Sequence, residues 1–336
     1  MQSAKAHLSI LDVLRGVAAL AVCLFHFNYR DGGDLSAALE YGHYGVEVFF
    51  VISGFVIPLA MSWAKFQYRN IGNFLLRRMI RLYPVFAIVA ITNLLLMIYG
   101  NPLLGYGGGS PDLTWSRALA NFTLTADLTE ESWYLPVFWT LAIEAQYYFL
   151  IALSFPLLMD RNTWVRVGVL LLWIYPSYFV GYSETVFSWT AFFAMGILAF
   201  LHQEKKIGKG LFWALLILAA FSHQETRNVT SAGVGLLTAI CILWNPHIKN
   251  PWLLKLGVTS YSLYLLHLAF GGAVLIHLKM IPEEWQWINN QPLGVALATA
   301  VSIGISLLFY RWVELPIHNK ARSFKTRARK KELAQE

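Results

Sequence analysis

The first long apolar run of this chain, LDVLRGVAALAVCLFHF, carries an arginine and a histidine, Arg15 and His26, inside a stretch otherwise suited to lipid. Wound as a helix, the run places the two side chains on one face, three turns and about 16 Å apart. One then sits near a membrane surface and the other deep. A lone histidine on an apolar face is more often a hydrogen-bonded core residue. An intramembrane arginine aligned with an intramembrane histidine is a functional hypothesis by default.

Composition makes lipid the solvent. Hydrophobic residues are 57% of the 336, charged residues 13%, and the mean hydropathy is +0.51, against about a quarter charged in soluble domains. The many aromatic residues suit the headgroup level of a bilayer. Lys5 precedes the first run, but FHFNYRDGG follows it without a small-residue cleavage pattern, so the run is expected to stay as a spanning helix. Cys23 and Cys241 both fall in apolar segments, which suggests neither a disulfide framework nor a metal site.

Runs near 9–28, 44–63, 80–100, 135–158, 164–182, 186–203, 210–223, 230–246, 256–278 and 292–313 approach the twenty residues a bilayer requires. The expected fold is therefore an all-α polytopic membrane protein of about ten transmembrane helices. Of the 26 basic residues, all but Arg30, Arg117, Arg227 and Lys279 collect in segments that lie on one side if the chain starts inside. Asp112, Asp127, Glu130, Glu131, Glu283 and Glu284 gather on the other. This asymmetry puts both termini in the cytoplasm. The formal charge of +7 is then a topology signal, and the basic tail KARSFKTRARKKE suits anionic lipid without any need for nucleic acid. One membrane domain over residues 1–318 and a basic cytoplasmic tail over 319–336 are expected. The outer connection, about 101–134, contains GYGGGS. It either covers a site or links helices, with its glycines favouring the link.

The second run, GVEVFFVISGFVIPL, places Glu47 at its outer end. Two readings stand: a carboxylate holding the His26 imidazole in one tautomer, or a glutamate solvated among headgroups. At the inner end of the third run, FLLRRMIRLYP presents Arg77, Arg78 and Arg81, with Arg78 and Arg81 one turn apart. Positive-inside anchoring explains such residues in most membrane proteins. Joined with Arg15 at the same depth, they could hold the phosphates of a cytoplasmic nucleotide carrier.

Three further segments complete a series: WTLAIEAQYYF with Trp139 and Glu144, SYSLYLLH with Tyr261, Tyr264 and His267, and YRWVELP. Taken in order with RGVAAL…FH, GVEVFFVISGF and RRMIRLYP, they resemble membrane acyltransferase family three over nearly the whole chain. Members O-acylate surface glycans and related acceptors. The resemblance is to the form without an appended periplasmic esterase-like domain, which leaves acceptor recognition to the membrane core and outer loops. It implies transfer of an acyl group, acetyl being the commonest, from cytoplasmic acyl-CoA (acetyl-CoA) to a glycan or lipid-linked saccharide at the outer face of the bacterial cytoplasmic (inner) membrane. The family's Arg-x10-His pattern lands on Arg15 and His26, its Arg-x-x-Arg pattern on Arg78 and Arg81, and a recurrent acidic position on Glu144.

The chemistry agrees. Thioester transfer to a hydroxyl needs a base near neutrality and a grip on a highly charged donor. His26 and Glu47 are the catalytic candidates. Arg15, Arg77, Arg78 and Arg81 are candidates for donor phosphates, and Glu144, Trp139, Tyr261 and His267 for substrate contacts. His26 could deprotonate the acceptor or take the acyl group itself. The rise from Arg15 to His26, about 16 Å, is comparable to a pantetheine arm. His267 sits in an aromatic-rich helix where packing and one hydrogen bond account for it, so its expected part is minor. Cys23, one turn before His26, packs more readily than it reacts. His26 to Asp31 spells His-x4-Asp, a glycerolipid acyltransferase pattern, without its companions and at the wrong spacing for one helix face. No metal and no tightly bound cofactor are expected. The alternative class is a secondary transporter or glycan exporter using the same charges as a pathway, although repeated halves and paired interrupted helices are not visible in the sequence.

Overall fold

The computed structural model describes residues 8–28, 33–99, 114–180, 185–222, 229–282, 284 and 290–320. The expected basic tail beyond Lys320, the GYGGGS stretch, and Arg30, Asp31, Asp112, Arg227 and Glu283 lie outside the described residues.

Every regular element among the described residues is helical. In chain order these are α1 (Ser9–His26), α2 (Asp34–Glu40), α3 (Gly45–Trp63), α4 (Ile71–Tyr99), α5 (Trp115–Phe122), α6 (Trp139–Leu158) and α7 (Thr163–Ile174). They continue with α8 (Pro176–Phe179), α9 (Thr190–Gln203), α10 (Lys209–Phe221), α11 (Val229–Trp244), α12 (Pro251–Val258), α13 (Ser260–Lys279) and α14 (Gln291–Phe309). Lipid offers no partner for a free N–H or C=O, so a spanning chain of this composition must close its backbone bonds within helices. Pro58, Pro84 and Pro156 lie inside α3, α4 and α6, a use of proline that membrane helices tolerate.

The chain is a polytopic all-α membrane protein. Seven helical stretches among the described residues have the length and apolarity to cross a bilayer: Ser9–His26, Asp34–Trp63, Tyr68–Ile98, Pro136–Leu158, Val186–Gln203, Ser260–Lys279 and Gln291–Lys320. The three other runs read from the sequence form shorter helices. The run at 164–182 ends its main helix at Ile174, because Pro176 disfavours continued helix at the residue before it and opens the one-turn α8. The runs at 210–223 and 230–246 become α10 and α11, of 13 and 16 residues, which rise only about 20 and 24 Å against a hydrocarbon core of about 30 Å.

Two compact units divide the chain. The first takes Met1–Val22, Glu40–Ile71 and Trp139–Ser260; the second takes Cys23–Leu39, Gly72–Phe138 and Tyr261–Glu336.

In the first unit α9 is the centre. Thr190 to Leu201 are all buried, with α3, α7, α10 and α11 packed around them. Gly54 on α3 and Gly196 on α9 make the closest approach possible: a Cβ on Gly54 would enter the Phe193 backbone, and one on Gly196 would enter the carbonyl of Val51. Small residues at such crossings are how membrane helices gain contact, since lipid supplies no hydrophobic drive between them. Tyr147 stacks on Phe193 with ring centroids 4.0 Å apart and donates its hydroxyl to Ser53 O at 3.3 Å. Arg166, expected among the inward-facing anchoring charges, is buried. It donates to the carbonyls of Leu158 (3.0 Å), Lys206 (2.6 Å) and Asp160, so it closes the end of α6 rather than facing lipid headgroups.

In the second unit tyrosine hydroxyls tie helices to backbone carbonyls: Tyr83 to Phe122 O at 2.9 Å, Tyr261 to Leu82 O at 2.9 Å and Tyr264 to Val137 O at 3.4 Å. Residues 114–138 are folded rather than a bare link. Arg117 donates Nε to Ser132 O and Nη2 to Trp133 O while lying over the Tyr134 ring, and Asn121 receives the Tyr134 N–H at 2.8 Å.

The Gly54–Gly196 crossing generates a stability test. Gly196→Ala should lower the thermal midpoint in detergent by the equivalent of about 1–3 kcal/mol of overpacking. Gly304→Ala on α14, where a Cβ meets nothing within 4 Å, should leave it in place. Size-exclusion recovery after heating reads both, and equal midpoints would remove the crossing from the account.

Candidate active site

Helix α1 ends at His26, one residue before the fully buried Phe27. Its imidazole is half-buried, and its Nδ1 lies 3.0 Å from Nε2 of His267 on α13, with ring centroids 5.0 Å apart. His267 is wholly buried. Its other nitrogen, Nδ1, lies 2.8 Å from Tyr264 O and 3.2 Å from Leu263 O, carbonyls of its own helix. Phe27 meets the same ring edge-on at 6.0 Å.

Local packing sets this pair. Gly271, one turn beyond His267, has no side chain where a Cβ would strike the Phe27 ring and Ser302 Oγ, which lets the end of α1 sit against α13. Two residues past His26, Asn28 is clamped. Its Oδ1 accepts from Ser36 Oγ at 2.6 Å and Gln291 Nε2 at 3.0 Å, and its Nδ2 donates to Ser36 O at 2.9 Å. The imidazole is therefore anchored by its own hydrogen bond and by the chain on its C-terminal side.

Sequence reasoning offered Glu47 as the group that holds the imidazole, and His267 as a substrate contact of minor weight. The Nδ1 hydrogen bond goes to His267 instead. With no exposed surface and both nitrogens engaged by protein, His267 faces another side chain rather than a substrate. Glu47 belongs to the first unit, in the opening turn of α3. It is 1% exposed and accepts from Ser231 Oγ on α11 at 3.0 Å, so the solvated reading gives way to a buried, hydrogen-bonded carboxylate.

Arg15 is half-buried on α1. On α4, Arg77 and Arg81 are exposed, and Arg78 is half-buried with its guanidinium 5.5 Å from the Phe74 ring centroid. The exposed face thus joins Arg77 to Arg81, four residues apart, and Arg78 is set off from them. Glu144 is half-buried and accepts from the Tyr148 hydroxyl one turn on. Trp139 opens α6 against Trp189 at 5.1 Å and Phe50 at 6.5 Å. The Tyr261 hydroxyl donates to Leu82 O.

The sequence missed the partnership of His26 with His267 and the Asn28–Ser36–Gln291 clamp, since separations of 241 and 263 residues leave no local pattern. A further cluster lies in the second unit. Ser262 Oγ donates to Glu314 Oε2 at 2.5 Å, and His318 Nε2 is 3.9 Å from Glu314 Oε1, where α14 continues into a π-helical turn over Tyr310–Glu314. Its signal was present in SYSLYLLH and YRWVELP, read there as motifs without a pairing.

A family profile described as an acyltransferase domain matches residues 8–311. Nodulation protein 10 of Rhizobium leguminosarum bv. viciae is 26% identical over 90% of this chain and 92% of its own length. A Staphylococcus aureus (strain COL) protein, provisionally named an O-acetyltransferase, is 26% identical over 92% of this chain, which spans 57% of that protein's length. The peptidoglycan O-acetyltransferase OatA of Listeria monocytogenes is 28% identical over 48% of this chain and 26% of its own length. No solved structure matches. Acyl transfer, rather than the alternative of transport, is thus the chemistry shared along the matched residues. The chain belongs to acyltransferase family three and is a multi-pass membrane acyltransferase.

Proposed function

We propose that this enzyme moves an acyl group, acetyl by preference, from cytoplasmic acyl-CoA to a hydroxyl of a surface or exported glycan at the outer face of a bacterial inner membrane. The observation that carries the reading is His26, half-buried and held by a second imidazole at the end of the helix that also bears Arg15. A positioned imidazole and an arginine about 16 Å along one helix match the two ends of an extended thioester donor. The names of the staphylococcal and Listeria relatives motivate acetyl, and the peptidoglycan in the latter motivates a glycan acceptor.

In this reading the acceptor hydroxyl attacks the thioester carbonyl carbon while His26 takes its proton. A C–O ester bond forms, the C–S bond breaks, and the proton passes from His26 to the departing thiolate. The donor phosphates are assigned to arginines: Arg15 on α1, and Arg77, Arg78 and Arg81 on α4. The guanidinium fork suits phosphate oxygens in pairs. Trp139 and Glu144 are assigned to the acceptor, an aromatic face and a carboxylate being the usual means of holding a sugar ring and its hydroxyls. Tyr261 is assigned with them, its hydroxyl donating to Leu82 O and keeping its lone pairs for acceptance. Glu47, which accepts from Ser231 rather than from the imidazole, is assigned only a supporting role as a buried carboxylate. Residues 1–318 are assigned as the working part, and the basic composition beyond them suits anionic lipid.

Detergent-purified protein incubated with labelled acetyl-CoA and lipid-linked or surface glycans tests the reading, the label being located by mass spectrometry. Ester-linked acetyl on the acceptor is expected; neither transfer nor CoA release with any acceptor would refute it. His26→Ala should cut transfer by about 10²–10⁴-fold, the usual weight of a general base, with donor affinity retained, and Glu47→Gln should slow turnover less. Near-wild-type turnover in folded His26→Ala protein would sink the assignment.

The arginines yield a separate expectation. Arg15→Lys, Arg78→Lys and Arg81→Lys keep the positive charge that orients the loop but lose the planar fork. Each should weaken acetyl-CoA binding by calorimetry while cysteine-accessibility topology is unchanged, and binding should fall with added salt. Affinity equal to wild type would return these residues to topology alone.

A further inference from the structure

The two imidazoles are joined by a single hydrogen bond, and its direction follows from what lies behind it. His267 Nδ1 is in reach of two atoms, Tyr264 O and Leu263 O, and a carbonyl oxygen can only accept. Nδ1 therefore carries the ring proton. The ring is wholly buried and its described partners include no carboxylate, so a second proton would place an uncompensated charge among apolar groups. His267 is thus the neutral Nδ1–H tautomer, and its Nε2 offers a lone pair. The group facing that lone pair 3.0 Å away is His26 Nδ1, which must then donate.

We infer that His267 is a positioning residue that fixes His26 as its Nδ1–H tautomer and so places the basic lone pair of the site on His26 Nε2. This deepens the acyl-transfer reading and rests on it for its effect on rate. Nε2 is the nitrogen on the far side of the ring from Nδ1, so holding Nδ1 also turns Nε2 away from α13. In the transfer step the hydroxyl proton moves to Nε2, and the resulting imidazolium keeps its Nδ1–H donated to His267. The same proton on Nε2 then goes to the thiolate. His267 gains and loses no proton, and it acts only through His26. The polypeptide supplies this orientation in a fully neutral form, where a carboxylate behind the imidazole would bring a buried charge that needs its own partners.

The test uses the full chain in lipid nanodiscs, labelled with 15N-histidine, with the His26 signals assigned by their loss in His26→Gln. Wild type should show His26 protonated at Nδ1 and bare at Nε2. His267→Phe should move His26 to the Nε2–H tautomer or a mixture. It should also lower kcat by about tenfold to a hundredfold, short of the about 10²–10⁴-fold of removing the base, with KM for both substrates unchanged. His267→Gln places an amide oxygen where Nε2 was, and should restore both the tautomer and most of kcat. His267→Asn reaches only to the Nδ1 position, and should behave like His267→Phe while keeping a polar group, which covers the case that the phenyl ring misfolds the helix end. An Nε2–H tautomer at His26 in wild type would overturn the inference, as would equal kcat in the Gln and Asn variants. The tautomer arm needs no turnover: absent transfer with an Nδ1–H His26 would fail the functional reading alone, and transfer with an Nε2–H His26 would fail this inference alone.

Discussion

Lipid cannot hydrogen-bond, and most of what is specific about this molecule follows from that. A polar side chain in the spanning region must be satisfied by protein, at a cost of several kcal/mol if it is not. The groups that stay there are correspondingly tied down. Glu47 accepts from Ser231 and His267 uses both ring nitrogens; outside the spans, Arg166 serves three carbonyls and Asn28 is held by Ser36 and Gln291. In water each of these could exchange a protein partner for solvent at little loss. Here the partners fix rotamer and tautomer, so the solvent constraint that shapes the fold also preorganises the groups proposed for the chemistry.

Close backbone approach supplies the rest of the precision. Helix association in lipid depends on contact rather than on exclusion of water. Gly54 and Gly196 give α3 and α9 that contact at the centre of the first unit, and Gly271 gives the end of α1 its seat on α13 in the second. The second case bears on the proposed transfer step. A methyl group at 271 would meet Phe27, the residue next to His26, so the distance between the two imidazoles depends on the absence of a side chain one turn away. Stability and the positioning of the proposed base share one structural cause there.

The sequence made some of this legible and concealed the rest, for definable reasons. Apolar run length revealed the long helices, because hydropathy is read residue by residue without knowledge of neighbours. It overstated α7, α10 and α11, because a run of apolar residues does not say how much of it winds; at 164–182 Pro176 decided the matter. His26 was conspicuous because a histidine in a lipid-facing run is costly. His267 was in plain view in SYSLYLLH, yet its importance lies in a pairing across 241 residues that periodicity cannot encode. Glu47 was likewise visible, and its partner Ser231, 184 residues away, was not. Arg166 was counted as one more anchoring charge, because counting charges by side of the membrane cannot separate one that faces headgroups from one that binds carbonyls. Titratable residues in apolar runs are therefore readable as candidates, and their roles become readable only when partners are known.

The two-imidazole arrangement would shape how the proposed base works. An imidazole backed by a carboxylate gains an electrostatic partner for its protonated form, and that carboxylate must itself be kept ionised by further donors. An imidazole backed by a neutral imidazole needs only backbone carbonyls behind it, and helix α13 supplies these from its own preceding turn at no cost in extra buried charge. In the proposed step the base takes the acceptor's proton and hands it to the thiolate while the imidazole behind it stays neutral. The neutral backing would be a poor choice in water, where competing donors would scramble the tautomer. It suffices here because the nitrogen doing the orienting has no access to water at all.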